Sequence, residues 1–237
     1  MYGRHSSVTE ATGIADALWG GRSRPTRGPK PAMSVERIAI TAVAVADAEG
    51  LDAVSMQRVA GELGFTKMAL YRYVRGKDEL VAIMTDLAIG EAPQLDVTAG
   101  WRRQLEQLAH ALFAVFRRHP WLLVTTVGQR VLGPRELGWT ECALAALTTT
   151  GLTGAERLDS VAVLAGHVRV IAEQSRDGDT PEAAMGDGLT SVMREHGDRF
   201  PALAAALADT TARGGQDNAL DFGLHRILDG VEAHMAR

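Results

Sequence analysis

From Ser34 onward the apolar residues of this chain recur three and four positions apart, and no useful stretch alternates apolar with polar residues. That pattern confines the chain to an all-α fold. Ser34 stands where an N-cap is wanted. Val35, Ile38, Ala39, Ala42, Val45 and Ala46 form one apolar face behind it, and Gly50 ends the helix. A short helix is expected after Ser55 and another after Gly64. "GKDELVAIMTDLAIG" opens a fourth, with Asp78 and Glu79 in its first turn, where acids favour the helix dipole. "EAPQLDVTAG" reads as a linker. Helices are then expected near 101–118, 121–127, 134–150, 155–175, 181–207 and 218–235, separated by Gly, Pro or Asp clusters.

The segment before Ser34 has a different character. "GGRSRPTRGPKPAM" holds three prolines and no apolar repeat, so it reads as a flexible basic arm. "VTEATGIADALW", ahead of it, has the composition of a short helix. The expected organisation is an arm over 1–33, a domain of short helices over 34–80 and a helical body over 81–237. Residues 1–80 carry eleven Lys or Arg against nine Asp or Glu, a balance of +2, and the remainder carries −6. A mildly basic head on an acidic body permits a nucleic-acid-binding head without establishing one.

Residues 61–74, "GELGFTKMALYRYV", concentrate the functional signal. Val59, Ala60 and Leu63 face inward from one helix, and small Ala60 allows a close crossing. Gly64 serves a tight turn of positive φ. Phe65 and Leu70 are expected to pack the next helix, read as eight residues long, back onto the first. The outward face then carries Thr66 as a cap, and Lys67 and Met68 on the turn that reaches base edges in a major groove. Tyr71, Arg72 and Tyr73 are placed to meet phosphates, with Lys77 just beyond and Arg58 on the first helix of the pair. Arg24 and Arg27, with Arg22 and Lys30, give the arm its own claim on DNA. A solvated amphipathic helix with half-buried tyrosines is the competing reading.

The stretch "SVERIAITAVAVADAEGLDAVSMQRVAGELGFTKMALYRYVRGKDEL" resembles the N-terminal domain of TetR-family transcriptional regulators across residues 34–80. "WRRQLEQLAHALFAVFRRHPWL", "GLTGAERLDSVAVLAGHV" and "FGLHRILDGVEAHM" resemble the C-terminal domain class of the tetracycline repressor. The resemblance implies an all-helical homodimer whose heads grip a palindromic double-stranded operator and whose bodies hold a small-molecule inducer. It puts Thr66, Lys67, Met68, Tyr71, Tyr73 and Lys77 at DNA. The magnesium-binding and drug-binding residues of that class do not transfer to this chain.

In the body, the helix at 155–175 is apolar nearly all round, with Leu158 and Val168 on one stripe. The last helix offers Ile227 and sets Gly223 and Gly230 seven apart, at a helix-propensity cost of about 1 kcal/mol each. Close approach of another helix would offset that cost, so both helices read as a dimer seam, with ordinary intradomain packing as the alternative. Trp121, Trp139, His110, His167, Thr125 and Gln129 are candidates for a ligand pocket with aromatic walls and a few polar groups. A lone histidine on an apolar face is more often a satisfied core residue.

Enzyme readings find no Gly-x-Ser-x-Gly elbow, His-Glu-x-x-His or Gly-rich phosphate loop. The seven histidines show no metal-ligand spacing, and no cofactor is implied. Cys142 is the only cysteine, so no intrachain disulfide forms, which fits a reducing cytoplasm. No apolar run reaches the roughly 20 residues of a membrane helix, and "MYGRHSSVTE" has no secretion-signal character. A structural, nucleoid-type DNA binder would be more basic. The expected function is a ligand-responsive DNA-binding repressor. An activator of the same family and a DNA-binding protein without a ligand stay open.

Overall fold

The computed structural model describes residues 8–20, 33–175, 189, 191–213 and 218–236. Every regular element among them is helical. The chain forms two compact units, one drawn from residues 1–95 and 118–145, the other from 96–117 and 146–237. This packing boundary differs from a division at residue 80, because the segment 118–145 stays with the first unit.

The first unit holds α1 (Val8–Leu18), α2 (Val35–Glu49), α3 (Met56–Leu63), α4 (Lys67–Leu70), α5 (Lys77–Ile89), α7 (Leu122–Thr125) and most of α8 (Pro134–Ala146). Ser34 caps α2, its hydroxyl accepting from the Arg37 N–H at 3.1 Å, and Gly50 ends the helix at φ 87°. The face expected to be apolar is buried at Ile38, Ala39, Ala42, Val45 and Ala46. Leu70, Val74, Leu80 and Met84 carry the core on through α4 and α5, all fully buried. The short helix expected ahead of the arm is α1. It packs against α5 and is pinned by a hydrogen bond from Trp19 Nε1 to the Leu132 carbonyl at 3.1 Å. The expectation of one flexible arm over 1–33 is thus corrected for residues 8–18. Arg22, Arg24, Arg27 and Lys30 lie outside the described residues.

The second unit holds α6 (Trp101–Arg118), α9 (Gly154–Gln174), α10 (Pro201–Arg213) and α11 (Ala219–Met235). Leu105, Leu147, Val168, Leu224 and Leu228 form its core. A capping box starts α9: Thr153 Oγ1 accepts from the Glu156 N–H, and Glu156 Oε2 accepts from the Thr153 N–H at 2.7 Å. The single helix expected over 181–207 is corrected in its described part. A 3₁₀ turn at Gly197–Arg199 interrupts it, and α10 begins at Pro201. Proline has no N–H for a preceding turn to use, but it fits the first position of a new helix. The helices expected over 134–150 and 121–127 are likewise shorter, ending at Ala146 and Thr125.

Candidate nucleic-acid interface

The turn between α3 and α4 depends on Gly64. Its φ of 73° and ψ of 26° are left-handed, with no Cβ collision to avoid, so the backbone angle alone explains glycine. The Phe65 N–H donates to the Ala60 carbonyl at 2.9 Å and the Gly64 N–H to Gly61 at 3.1 Å. These two bonds close α3 in a Schellman motif. On the inner side Val59, Ala60, Leu70 and Val74 are all fully buried. Phe65 was expected to join them but is 38% exposed.

The recognition segment is shorter than the eight-residue helix expected. Past Leu70 i→i+3 bonds enter, as in Tyr73 N–H to Leu70 at 2.8 Å beside Val74 N–H to the same carbonyl at 3.0 Å, and residues 71–73 form turns. Thr66 caps α4, its hydroxyl accepting from the Ala69 N–H at 3.3 Å. Thr66, Lys67, Met68, Tyr71, Arg72 and Lys77 are all exposed, and Tyr73 is half-buried. Lys67 Nζ lies 5.6 Å from the Tyr71 ring centroid, so the two share one face. Met68 is 73% exposed beside these polar groups, which suits apolar contact with a base edge.

Arg58 sits differently from the others. Its guanidinium bonds Glu62 on α3 and Glu49 on α2, the latter at 2.7 Å. Those hydrogen bonds, Glu62 first, raise its pKa above the usual arginine value. A phosphate must displace these carboxylates to recruit it. Arg75, which the sequence reading did not select, is an exposed cation two residues before Lys77. The signal was its position between "YRYV" and "GKDEL".

The six ligand candidates fall into both units. In the first, Trp121 and Trp139 are buried and spend their indole N–H groups on Asp47 Oδ1 at 2.7 Å and the Gly90 carbonyl at 2.9 Å. Thr125 has a buried hydroxyl with no protein partner, and Gln129 is exposed. In the second unit, exposed His110 pairs with Asp221 at 3.0 Å. His167 Nε2 meets the Leu220 carbonyl at 2.9 Å, the satisfied-core arrangement.

The dimer candidates also divide. Leu158 is 54% exposed, Ile227 is half-buried and Gly230 faces open space. Val168 is fully buried in its own chain and has no surface left for a partner. Gly223 is explained within the chain, since a Cβ there would stand 2.2 Å from His167 Cε1. No group of three or more metal-ligating side chains occurs among the described residues.

Two family models match this chain. "Bacterial regulatory proteins, tetR family" covers residues 32–84, and "Tetracyclin repressor-like, C-terminal domain" covers 92–235. The chain belongs to the TetR family. The HTH-type transcriptional repressor DrrR1 of Streptomyces coeruleorubidus is 39% identical, over 97% of this chain and 90% of its own. An HTH-type transcriptional regulator of Saccharopolyspora erythraea is 27% identical over 96% of each. The crystal structure of Streptomyces coelicolor ActR in complex with actinorhodin aligns with a TM-score of 0.71 at 28% identity, covering 87% of this chain and 98% of that one.

As a TetR-family member the chain is a DNA-binding transcriptional regulator, and its N-terminal match spans the whole helix-turn-helix. Among the described residues no helix is long and apolar enough to cross a membrane. The family pattern did not disclose two carboxylate contacts that tie helices of the first unit, one from the partly exposed Asp47 and one from the buried Asp86. Asp47 on α2 accepts from Trp121 Nε1 and lies 2.7 Å from His119 Nδ1, a contact that needs the proton on Nδ1. Asp86 on α5 accepts from backbone N–H groups at the start of α8.

Proposed function

We propose that this TetR-family protein is a dimeric repressor that holds a two-fold symmetric operator and leaves it on binding a small molecule. The carrying observation is the helix pair α3–α4, sealed on one side and exposing Thr66, Lys67, Met68, Tyr71, Arg72 and Lys77 on the other. Lys67 and Met68 read base edges. Tyr71, Arg72, Tyr73 and Lys77 bind phosphates, joined by Arg58 once it leaves its carboxylates and by Arg24 and Arg27 of the arm. The dimer forms through α9 and α11, supported by the exposed Leu158, Val163, Val170 and Phe222 and by the open Gly230. ActR's complex with actinorhodin supports a small-molecule effector. Trp121, Thr125, Gln129 and Trp139 of the first unit are the candidates to contact it, and His110 and His167 of the second unit are the alternative candidates. The effector must bind the DNA-incompetent arrangement more tightly, since equal affinity shifts nothing. A catalytic role forms no part of this reading.

DNA selected in vitro by the protein tests it. The selected sites should be palindromic, with half-sites about 34 Å apart. Lys77→Ala should weaken binding to every sequence alike and lower the salt slope by about 1, whereas Met68→Ala should change the preferred bases. Failure to enrich any sequence would sink the reading.

A further inference from the structure

We propose that Asp86 is the positioning residue through which the segment 126–136 holds α5, and with it the recognition segment. This deepens the ligand-response reading and rests on it. Asp86 is 4% exposed, on a helix whose neighbouring buried positions are mostly apolar. A carboxylate buried there is costly unless its oxygens are used. Oδ1 accepts from the Arg135 N–H at 2.9 Å and the Glu136 N–H at 3.3 Å, and Oδ2 lies 3.2 Å from Arg135 Nη1. Those two N–H groups belong to the first turn of α8, where no intrahelical acceptor exists.

A helix ordinarily solves this locally, with Ser, Thr, Asp or Asn at its N-cap. Here the residue before Pro134 is Gly133, and nothing larger fits. A Cβ on Gly133 would stand 2.1 Å from Asp86 Oδ1, 2.3 Å from Cγ and 2.7 Å from Cβ. The cap of α8 therefore comes from α5, which makes the start of α8 and the position of α5 depend on each other.

The connection runs further on both sides. Arg130 forks onto the Glu136 carboxylate, Nη1 to Oε2 at 2.5 Å, and reaches the Thr126 carbonyl at the end of α7 at 3.2 Å. Trp139, one turn along α8, donates to the Gly90 carbonyl that follows α5. An unbroken hydrogen-bonded path thus leads from α7 through Arg130, Glu136 and Asp86 to α5, which starts three residues after Val74. Such a path becomes a coupling only where its loss alters a distant site. A displacement of α5 by about an ångström would stretch both backbone bonds past hydrogen-bond range.

The test uses full-length protein with Asp86→Ala, Asp86→Asn, Gly133→Ala and the Asp86→Ala/Gly133→Ala pair. Operator affinity is measured well below each melting temperature. Asp86→Ala and Gly133→Ala should each lower it by about five-fold or more. Asp86→Asn, which keeps an acceptor, should restore most of the loss, and Gly133→Ala should add little once Asp86 is alanine. Lower melting temperatures with unchanged operator affinity, or additive losses, would overturn the proposal. Amide hydrogen exchange supplies a readout independent of DNA. Exchange should quicken in Asp86→Ala through residues 66–89, while acceleration confined to the first turn of α8 would overturn the assignment. Wild-type protein that selects no DNA would instead count against the regulatory reading, and the exchange result would still decide the role of Asp86.

Discussion

The two units are held together by different chemistry. In the first, the ties between helices are directional and each engages at least one buried group: Trp121 and His119 on the partly exposed Asp47, the α8 N-terminus on Asp86, Trp139 on the Gly90 carbonyl. In the second, beside the His167–Leu220 hydrogen bond, the polar ties of α11 to α6 and α9 are charged groups that remain partly in water. Arg102 pairs with Asp229 and Glu232, His110 with Asp221, and His234 with Glu156. Buried hydrogen bonds fix a geometry, because breaking one leaves a desolvated group without a partner. Exposed ion pairs fix little, and salt screens them. The first unit carries the recognition face, where displacement matters most. The second needs only to hold its helices for packing and, in the proposed function, for dimerisation.

The sharpest way to break this contrast is Asp47→Ala. It strands the buried Trp121 and His119 donors together, and it should cost about 2–3 kcal/mol in urea unfolding. A loss no larger than that of an exposed ion pair would show that the first unit is no more directional than the second.

A somewhat smaller effect is expected at a place where the second unit is tightly fitted. Gly223→Leu would drive a side chain into the His167 imidazole. Overpacking of this kind costs about 1–3 kcal/mol. Gly230→Leu, at a position open within the chain, should leave monomer stability unchanged or improved, since glycine is the poorer helix former. Sedimentation separates the two roles. If Gly230→Leu alone weakens a dimer, the seam reading of α11 stands; if neither variant does, both glycines are matters of packing and propensity within the chain.

These two glycines also mark how far sequence reasoning reaches. Their spacing on one face of a helix was legible, and so was the need for some close approach. What approaches Gly223 was not, because His167 lies 56 residues earlier in the chain and its ring position depends on how α9 crosses α11. The helix-turn-helix was legible almost residue by residue, since caps at Ser34, Ser55 and Thr66 and the left-handed Gly64 act within four residues. The length of α4 was not, because "LYRYV" keeps helical composition while its backbone tightens into turns. Asp86 was harder still. A lone acid in "LVAIMTDLAIG" signals a partner, but that partner is backbone, and backbone N–H groups leave no mark in a sequence.

The smallest expected effect concerns Glu156, a carboxylate of the second unit. Its hydrogen bond with His234, followed by those with the Thr153 backbone and hydroxyl, pushes its pKa down to about 2. A carboxylate depressed on folding stabilises the folded state fully above its unfolded value, near 4.5, and loses that contribution as the pH falls toward 2. The side chain is 40% exposed, so the contribution is modest and sensitive to salt. Glu156→Gln keeps an acceptor for the Thr153 N–H and removes only the charge. Urea midpoints of wild type and variant should therefore differ at pH 6 and draw together between pH 4.5 and pH 3. In about 1 M salt, where the Debye length is about 3 Å, the difference at pH 6 should shrink as well. The same salt change should leave the cost of Asp47→Ala nearly unaltered, because its donors are buried. A gap at Glu156 that ignored both pH and salt would place this contact with the buried, directional kind, and the distinction between the two units would fail here.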